Sequence, residues 1–255
     1  MVAVGPVWSG TFLTFAQAAA SVPTEPDHKL SLFAQAKWLD RQAALASRSV
    51  SEESQIQPPS RPTNLPFAAA VVNAKIIVDF GGGSGWVRQF LYGLKGLERF
   101  LVVDVESVVR RFGEVATSQL EFVTADSPVL DDLAGITDIL YSNSTLQYLP
   151  DNVAFCDVVR RVRPALVLLD EVLWSSTGSD WFTVQVNSIV PAVARFASID
   201  VLVADLATIG YRLTWKDNFG REGYAFPVME NLPRRVRISH ALVLAFSRGS
   251  DDDGD

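Results

Sequence analysis

The chain has 255 residues, a hydrophobic content of 48% and a net charge of −7. That length suits one α/β domain with an appendage and a sizeable core. The acidic balance, with no massed basic run, excludes binding held mainly through a nucleic-acid phosphate backbone and leaves only a local cluster at Arg234, Arg235 and Arg237.

Residues 1–48 read as a helical cap. Phe12, Phe15, Ala16 and Ala19 recur at helical spacing, and so do Leu32, Trp38, Leu39 and Leu45. No basic n-region stands at Met1 to Val7, and residues 11–22 are too short and interrupted to span a bilayer. A cytoplasmic setting with no membrane partner is therefore expected. The lone Cys156 excludes an internal disulfide and fits a reducing compartment. Residues 49–66 read as a linker, because Glu52, Glu53, several prolines and many Ser, Thr and Gln fall there. A short helix is expected over 67–73. From Lys75 strand-like runs appear at 75–80, 100–105, 120–124, 137–142, 165–170, 211–216 and 240–247. Helix-like runs at 85–95, 106–117, 150–163 and 198–209 separate most of them. The first five strand runs are near-continuous apolar blocks, as buried parallel strands are. This alternation predicts an α/β fold over 67–249: a doubly wound, seven-stranded Rossmann-like sheet with right-handed crossovers. Residues 250–255 read as a solvated acidic tail.

The most informative stretch is Val78-Asp79-Phe80-Gly81-Gly82-Gly83-Ser84-Gly85, entered from an apolar run and left into a helix-compatible one. Glycines there let the backbone turn sharply and approach a ligand. The dinucleotide fingerprint is G-x-G-x-x-G, whereas this spacing is G-x-G-x-G, with Trp86 where that fingerprint has glycine. In open α/β sheets ligands sit beyond the carboxyl ends of the strands. Asp104 ends the second strand nineteen residues after Gly85; its carboxylate can accept two hydrogen bonds from a ribose diol or cap the following helix. Asp126 and Ser127 follow the third strand and can likewise cap a helix.

Asp-x-Gly-x-Gly-x-Gly after a strand resembles motif I of class I S-adenosylmethionine-dependent methyltransferases. The blocks at 79–85, 102–104, 146–151, 168–170 and 183–185 are similar to a poorly characterised bacterial family of putative methyltransferases, as are Trp8-Ser9-Gly10 and residues 210–213. The resemblance implies that S-adenosyl-L-methionine is the cofactor. It assigns Asp79, Phe80, Gly81, Gly82, Gly83 and Gly85 to its amino-acid end and Asp104 with Val105 to its ribose. It assigns Ala125, Asp126 and Ser127 to the adenine, and Ser142 and Asn143 to the neighbourhood of the sulfonium. Gln147 lies in the same fourth-strand loop, on the acceptor side.

Methyl transfer from a sulfonium needs mostly alignment and exclusion of water, with a general base only where the acceptor carries a proton. Only two histidines are present. His240 begins the last strand and reads as structural; His28 lies in the cap, from which it could reach the pocket. Asp170 and Glu171 are the better base candidates, ahead of Tyr141. As neighbours on a strand they cannot both point inward. Trp181 and Gln185 are candidates for an acceptor wall, or for covering the sheet edge. No metal site is expected, since His and Cys are sparse. The expected function is methyl transfer to a small molecule of glycan or secondary-metabolite type, in biosynthesis. The alternatives are a NAD(P)-dependent oxidoreductase on a related fold and a catalytically silent scaffold subunit. A homodimer is admitted but not required.

Overall fold

The computed structural model describes residues 8–22, 36–51, 63–186, 191–219, 232–238 and 240–249. The chain begins with β1 (Trp8–Phe12), α1 (Phe15–Ser21), α2 (Ala36–Ser51) and α3 (Leu65–Val71). It continues with β2 (Ile76–Phe80), β3 (Arg99–Val103), α4 (Glu106–Phe112), β4 (Leu120–Val123), α5 (Val129–Asp132) and β5 (Ile139–Asn143). Then come α6 (Val153–Val162), β6 (Leu166–Val172), β7 (Trp181–Gln185), β8 (Ala192–Phe196), α7 (Ile199–Ala207), β9 (Tyr211–Phe219) and β10 (Ala241–Arg248).

Seven of these strands form one sheet in the order β4-β3-β2-β5-β6-β10-β9. The first five are parallel, and β10 runs antiparallel to both of its neighbours. Both faces are covered, which is why the parallel strands read as continuous apolar blocks. Ile77, Phe100, Val102, Ile139, Tyr141 and Leu168 face one layer, where Trp38, Leu39 and Leu65 pack. Val78, Leu101, Val103, Leu140, Val167 and Leu169 face the other, against Phe155, Val159, Val162, Leu202 and Leu206 of α6 and α7. Cys156 is in that second layer, and burial pushes its thiol up to about 11, so it is no thiolate nucleophile. Strand order reverses between β3-β2 and β5-β6, and the glycine turn leaves the sheet at this switch point.

Three differences from the sequence reading have local causes. Residues 8–12, expected to be helical, form β1, which pairs with β7 in a separate antiparallel sheet ordered β1-β7-β8. The helix begins only at Phe15, where the Thr14 hydroxyl accepts from Gln17 N–H at 3.2 Å and caps it. The run 85–95 yields a six-residue 3-10 helix at Trp86–Leu91, and the run 106–117 stops as α-helix at Phe112, before Gly113. α2 extends to Ser51, and α3 starts at Leu65, inside the expected linker; the rest of that linker, residues 52–62, lies outside the described residues, as does the tail at 250–255. Among the described residues no helix is long and apolar enough to cross a membrane.

The appended sheet is joined to the main one through a buried charge. Arg195 on β8 is fully buried; its Nη2 donates to Asn152 Oδ1 at 2.7 Å and its Nη1 to Asp180 Oδ2 at 3.4 Å. Asn152 in turn donates to Asp205 at 2.8 Å, and Ser198 N–H donates to Asp180 at 2.6 Å. Burial lowers the guanidinium pKa, and Asp180 opposes that shift. Removing one partner of such a pair leaves the other uncompensated. Arg195→Ala should therefore lower unfolding free energy by about 3–5 kcal/mol, measured by urea denaturation. A loss under about 1 kcal/mol, the level of an exposed pair, would show that the network does not hold the two sheets together.

Candidate active site

The turn after β2 is shaped by close approach. Gly81 and Gly83 have φ of +74° and +60°, where side-chain-bearing residues are strained. A β-carbon on Gly81 would overlap Thr145, and one on Gly82 would overlap the Asp79 carboxylate. Gly81 N–H donates to the Val103 carbonyl at 2.8 Å, tying the turn to β3. Gly85 closes it as the left-handed cap of the 3-10 helix. α2 lies over the turn: a β-carbon on Gly83 would stand 2.9 Å from Gln42 Oε1 and 3.6 Å from the Trp38 ring. α2 thus reaches the glycine turn; His28 lies outside the described residues.

Two carboxylates flank this turn. Asp79 is 2% exposed and accepts no hydrogen bond among the described residues. Burial, then the charge of Asp104, raises its pKa well above the usual carboxylate range. Asp104 accepts from Gly83 N–H at 2.9 Å and Val105 N–H at 2.7 Å. Part of its surface is open, yet burial pushes it up to about 6 against both of those hydrogen bonds. No cation contributes to either shift. An ammonium fits Asp79, and hydroxyl donors fit Asp104. Phe80, by contrast, points into the core, edge-on to Phe155 at 5.4 Å.

The loop after β4 sits on the same rim. Ala125 and Asp126 are exposed there, and the Thr124 hydroxyl, 2.5 Å from Asp126 Oδ1, lowers that carboxyl's pKa. Arg161 of α6 holds the loop by donating to the Ala125 and Ser127 carbonyls at 2.5 and 2.7 Å, and it pairs with Asp131 at 2.8 Å.

β5 and β6 bring their carboxyl ends together beside the turn. Ser142 Oγ donates to the Phe80 carbonyl at 2.9 Å, and Asn143 Nδ2 to the Tyr141 hydroxyl at 2.9 Å. Asp170 is buried and accepts from Tyr141 OH (2.9 Å), Thr63 Oγ1 (3.1 Å), Asn64 N–H (2.8 Å) and Asn64 Nδ2 (2.8 Å). Four donors on one carboxylate make Asp170 the anchor of the α3 N-terminus, which alters its expected role as a base. Tyr141 is fully buried, and burial followed by the Asp170 charge raises its pKa well above the usual tyrosine value, which disfavours an anionic base there too. Glu171 is placed differently. Between Leu169 and Val172 the chain carries one residue more than the facing stretch of β10, a β-bulge, and Glu171 lies in it at φ +54°. Its Oε2 accepts from Ser144 Oγ, and Ser144 is itself at φ +54°. Two strained residues on adjacent strand ends are thus held together by their side chains.

Tyr148 OH donates to Gln185 Oε1 at 3.0 Å, and the Oε1 of the neighbouring Gln147 is buried without a hydrogen-bond partner among the described residues. Trp181 stands about 13 Å further along β7, stacked on Phe196 at 4.0 Å and 4% exposed, so it belongs to the core of the small sheet. Sequence reasoning missed Thr63, Asn64, Ser144 and the α2 residues over Gly83. Only Asn64 had a signal, as an N-cap residue before Leu65-Pro66. Among the described residues no group of three or more His, Cys, Asp or Glu could hold a metal ion.

Solved structures share this architecture. One is a complex between the Haloferax volcanii Trm112 methyltransferase activator and a methyltransferase: TM-score 0.55, 15% identity, covering 87% of this chain and 99% of that chain. The chain has the class I methyltransferase fold. Human N-acetylserotonin methyltransferase in complex with SAM also matches, with TM-score 0.50 and 14% identity, covering 91% of this chain and 61% of that chain. No family model and no curated protein matches the sequence.

The raised carboxyl of Asp104 gives a pH signature. Its folded pKa of about 6 exceeds the ordinary aspartate value of about 4, so its contribution to stability is fully present below about pH 4 and is lost as pH rises through 6. Comparing urea midpoints of the ligand-free protein and Asp104→Asn, the variant should gain on the parent between pH 4 and 7. A constant difference across that range would contradict the burial assigned to Asp104.

Proposed function

We propose that the chain transfers a methyl group from S-adenosyl-L-methionine to a small-molecule acceptor. One observation carries this reading: Asp79 is buried beside the glycine turn with neither a hydrogen-bond partner nor a cation among the described residues. The methionine ammonium of the donor supplies the charge that Asp79 lacks, and the ribose diol supplies donors to Asp104. A dinucleotide would instead bring pyrophosphate charge toward two carboxylates. The helix after the turn is a six-residue 3-10 helix, a poor anion site, which also counts against the oxidoreductase. The human neighbour was solved with SAM bound, which supports the same donor here.

When bound, the donor supplies a methyl group already activated as a sulfonium. The chain's own residues then align and dry the site. Trp38 and Gln42 cover the turn from α2, Asp170 fixes α3 against β5 and β6, and Gln147 and Gln185 line the acceptor side. Glu171, held by Ser144, takes the acceptor proton where the nucleophile carries one. The acceptor is of glycan or secondary-metabolite type, and the lone Cys156 suits the cytoplasm.

Titration calorimetry with S-adenosylmethionine, S-adenosylhomocysteine and NAD tests the reading. Micromolar binding of the first two is expected, and NAD binding in their place would favour the oxidoreductase. No binding of any would favour a scaffold. Asp104→Ala should weaken donor binding by about 1–3 kcal/mol, and unchanged affinity would remove the ribose assignment. Gly83→Val should abolish binding with far-UV circular dichroism retained; full binding would place the pocket elsewhere.

A further inference from the structure

The opposite rim of the sheet gathers a second set of charges that methyl transfer does not use. α6 ends there with Arg160 in its last turn and Arg163 as a left-handed cap at φ 46°. β10 brings Arg248, β9 brings Tyr211, and Thr208 and Ile209 follow α7. These six residues line a cleft of about 290 Å³. Its walls are fixed by backbone contacts: Tyr211 OH donates to the Pro164 carbonyl at 2.7 Å, and Arg248 Nη1 to the Arg163 carbonyl at 3.3 Å. Arg160 pairs with Asp157 at 2.5 Å, whereas Arg163 and Arg248 have no carboxylate partner among the described residues.

Basic residues in a last helical turn offset the helix dipole, which accounts for Arg160 and Arg163. Arg248 reaches the same concavity from a strand 85 positions later, with one guanidinium nitrogen on the Arg163 carbonyl at this helix end. Grouping like charges is unfavourable unless an anion joins them, and this grouping occurs in a chain of net charge −7. Guanidinium forks match the oxygens of phosphate and carboxylate in pairs.

We propose that the Arg160–Arg163–Arg248 cleft is an anion-binding site for a small group carrying two or more closely spaced negative charges. Two sources have that chemistry. One is a free phosphate-type anion. The other is the chain's own Asp251, Asp252, Asp253 and Asp255, the first of which follows Arg248 by three residues, a reach of about 10 Å in extended chain. A tethered run of this kind competes at high effective concentration.

Calorimetric titration with inorganic pyrophosphate at low salt separates these. The forms compared are the full-length protein, Asp251→Asn/Asp252→Asn/Asp253→Asn/Asp255→Asn, and that variant with Arg163→Gln and Arg248→Gln added. Pyrophosphate should bind the tail-neutral form, and the two arginine changes should weaken that binding at least tenfold while the thermal midpoint holds. If the tail occupies the cleft, the parent binds pyrophosphate about tenfold more weakly than the tail-neutral form. If a free anion does, the two bind alike. Binding that ignores the arginines, or no binding to the tail-neutral form, overturns the proposal.

Discussion

Two carboxylates buried around one glycine turn, with no cation between them among the described residues, are the constraint on which this structure depends. Burial raises the cost of ionising both Asp79 and Asp104, and the Asp104 charge raises that of Asp79 further. A chain selected for stability alone would place a neutral or paired group there. Local features that oppose folding and persist are held by what surrounds them. Here the holding is visible: Thr145 fills the space beside Gly81, Gly83 and Val105 donate to Asp104, and α2 roofs the turn.

The remainder of the rim is organised by polar groups whose work is positional. Asp170 turns four donors toward itself and so fixes the entry to α3 against the sheet. The bulge one residue later turns Glu171 to Ser144, giving two adjacent acids different tasks. Arg161 performs a like service for the exposed loop at 125–127. The small sheet enters this scheme from the side, with Tyr148 joined to Gln185 on β7 and Arg195 joined to Asn152 at the start of α6.

The central sheet was legible in the sequence because burial on both faces writes its five parallel strands as apolar blocks, and all seven strands fall where strand-like runs stand. Asp79 and Asp104 were legible for a related reason: a strand end and a glycine spacing fix where they stand. The small sheet was not. Trp8–Phe12 pairs with Phe182–Gln185 across 170 to 177 positions, and no local periodicity reports such a partner. Thr63 and Asn64 were hidden by the proline-rich composition around them, although their side chains reach the centre of the site. The different fates of Asp170 and Glu171 depend on a bulge that register alone reveals. Trp181 looked available as an aromatic and proved to be packed on Phe196.

The central claim is that the donor's ammonium and diol complete two buried carboxyls that, without it, are mostly protonated at pH 5.5. Calorimetry of S-adenosylmethionine binding at pH 5.5, in two buffers of different ionisation enthalpy, tests this most directly. The account predicts net proton release on binding, because both carboxyls become charged against their new partners. Binding with no proton released, or with protons taken up, would contradict it.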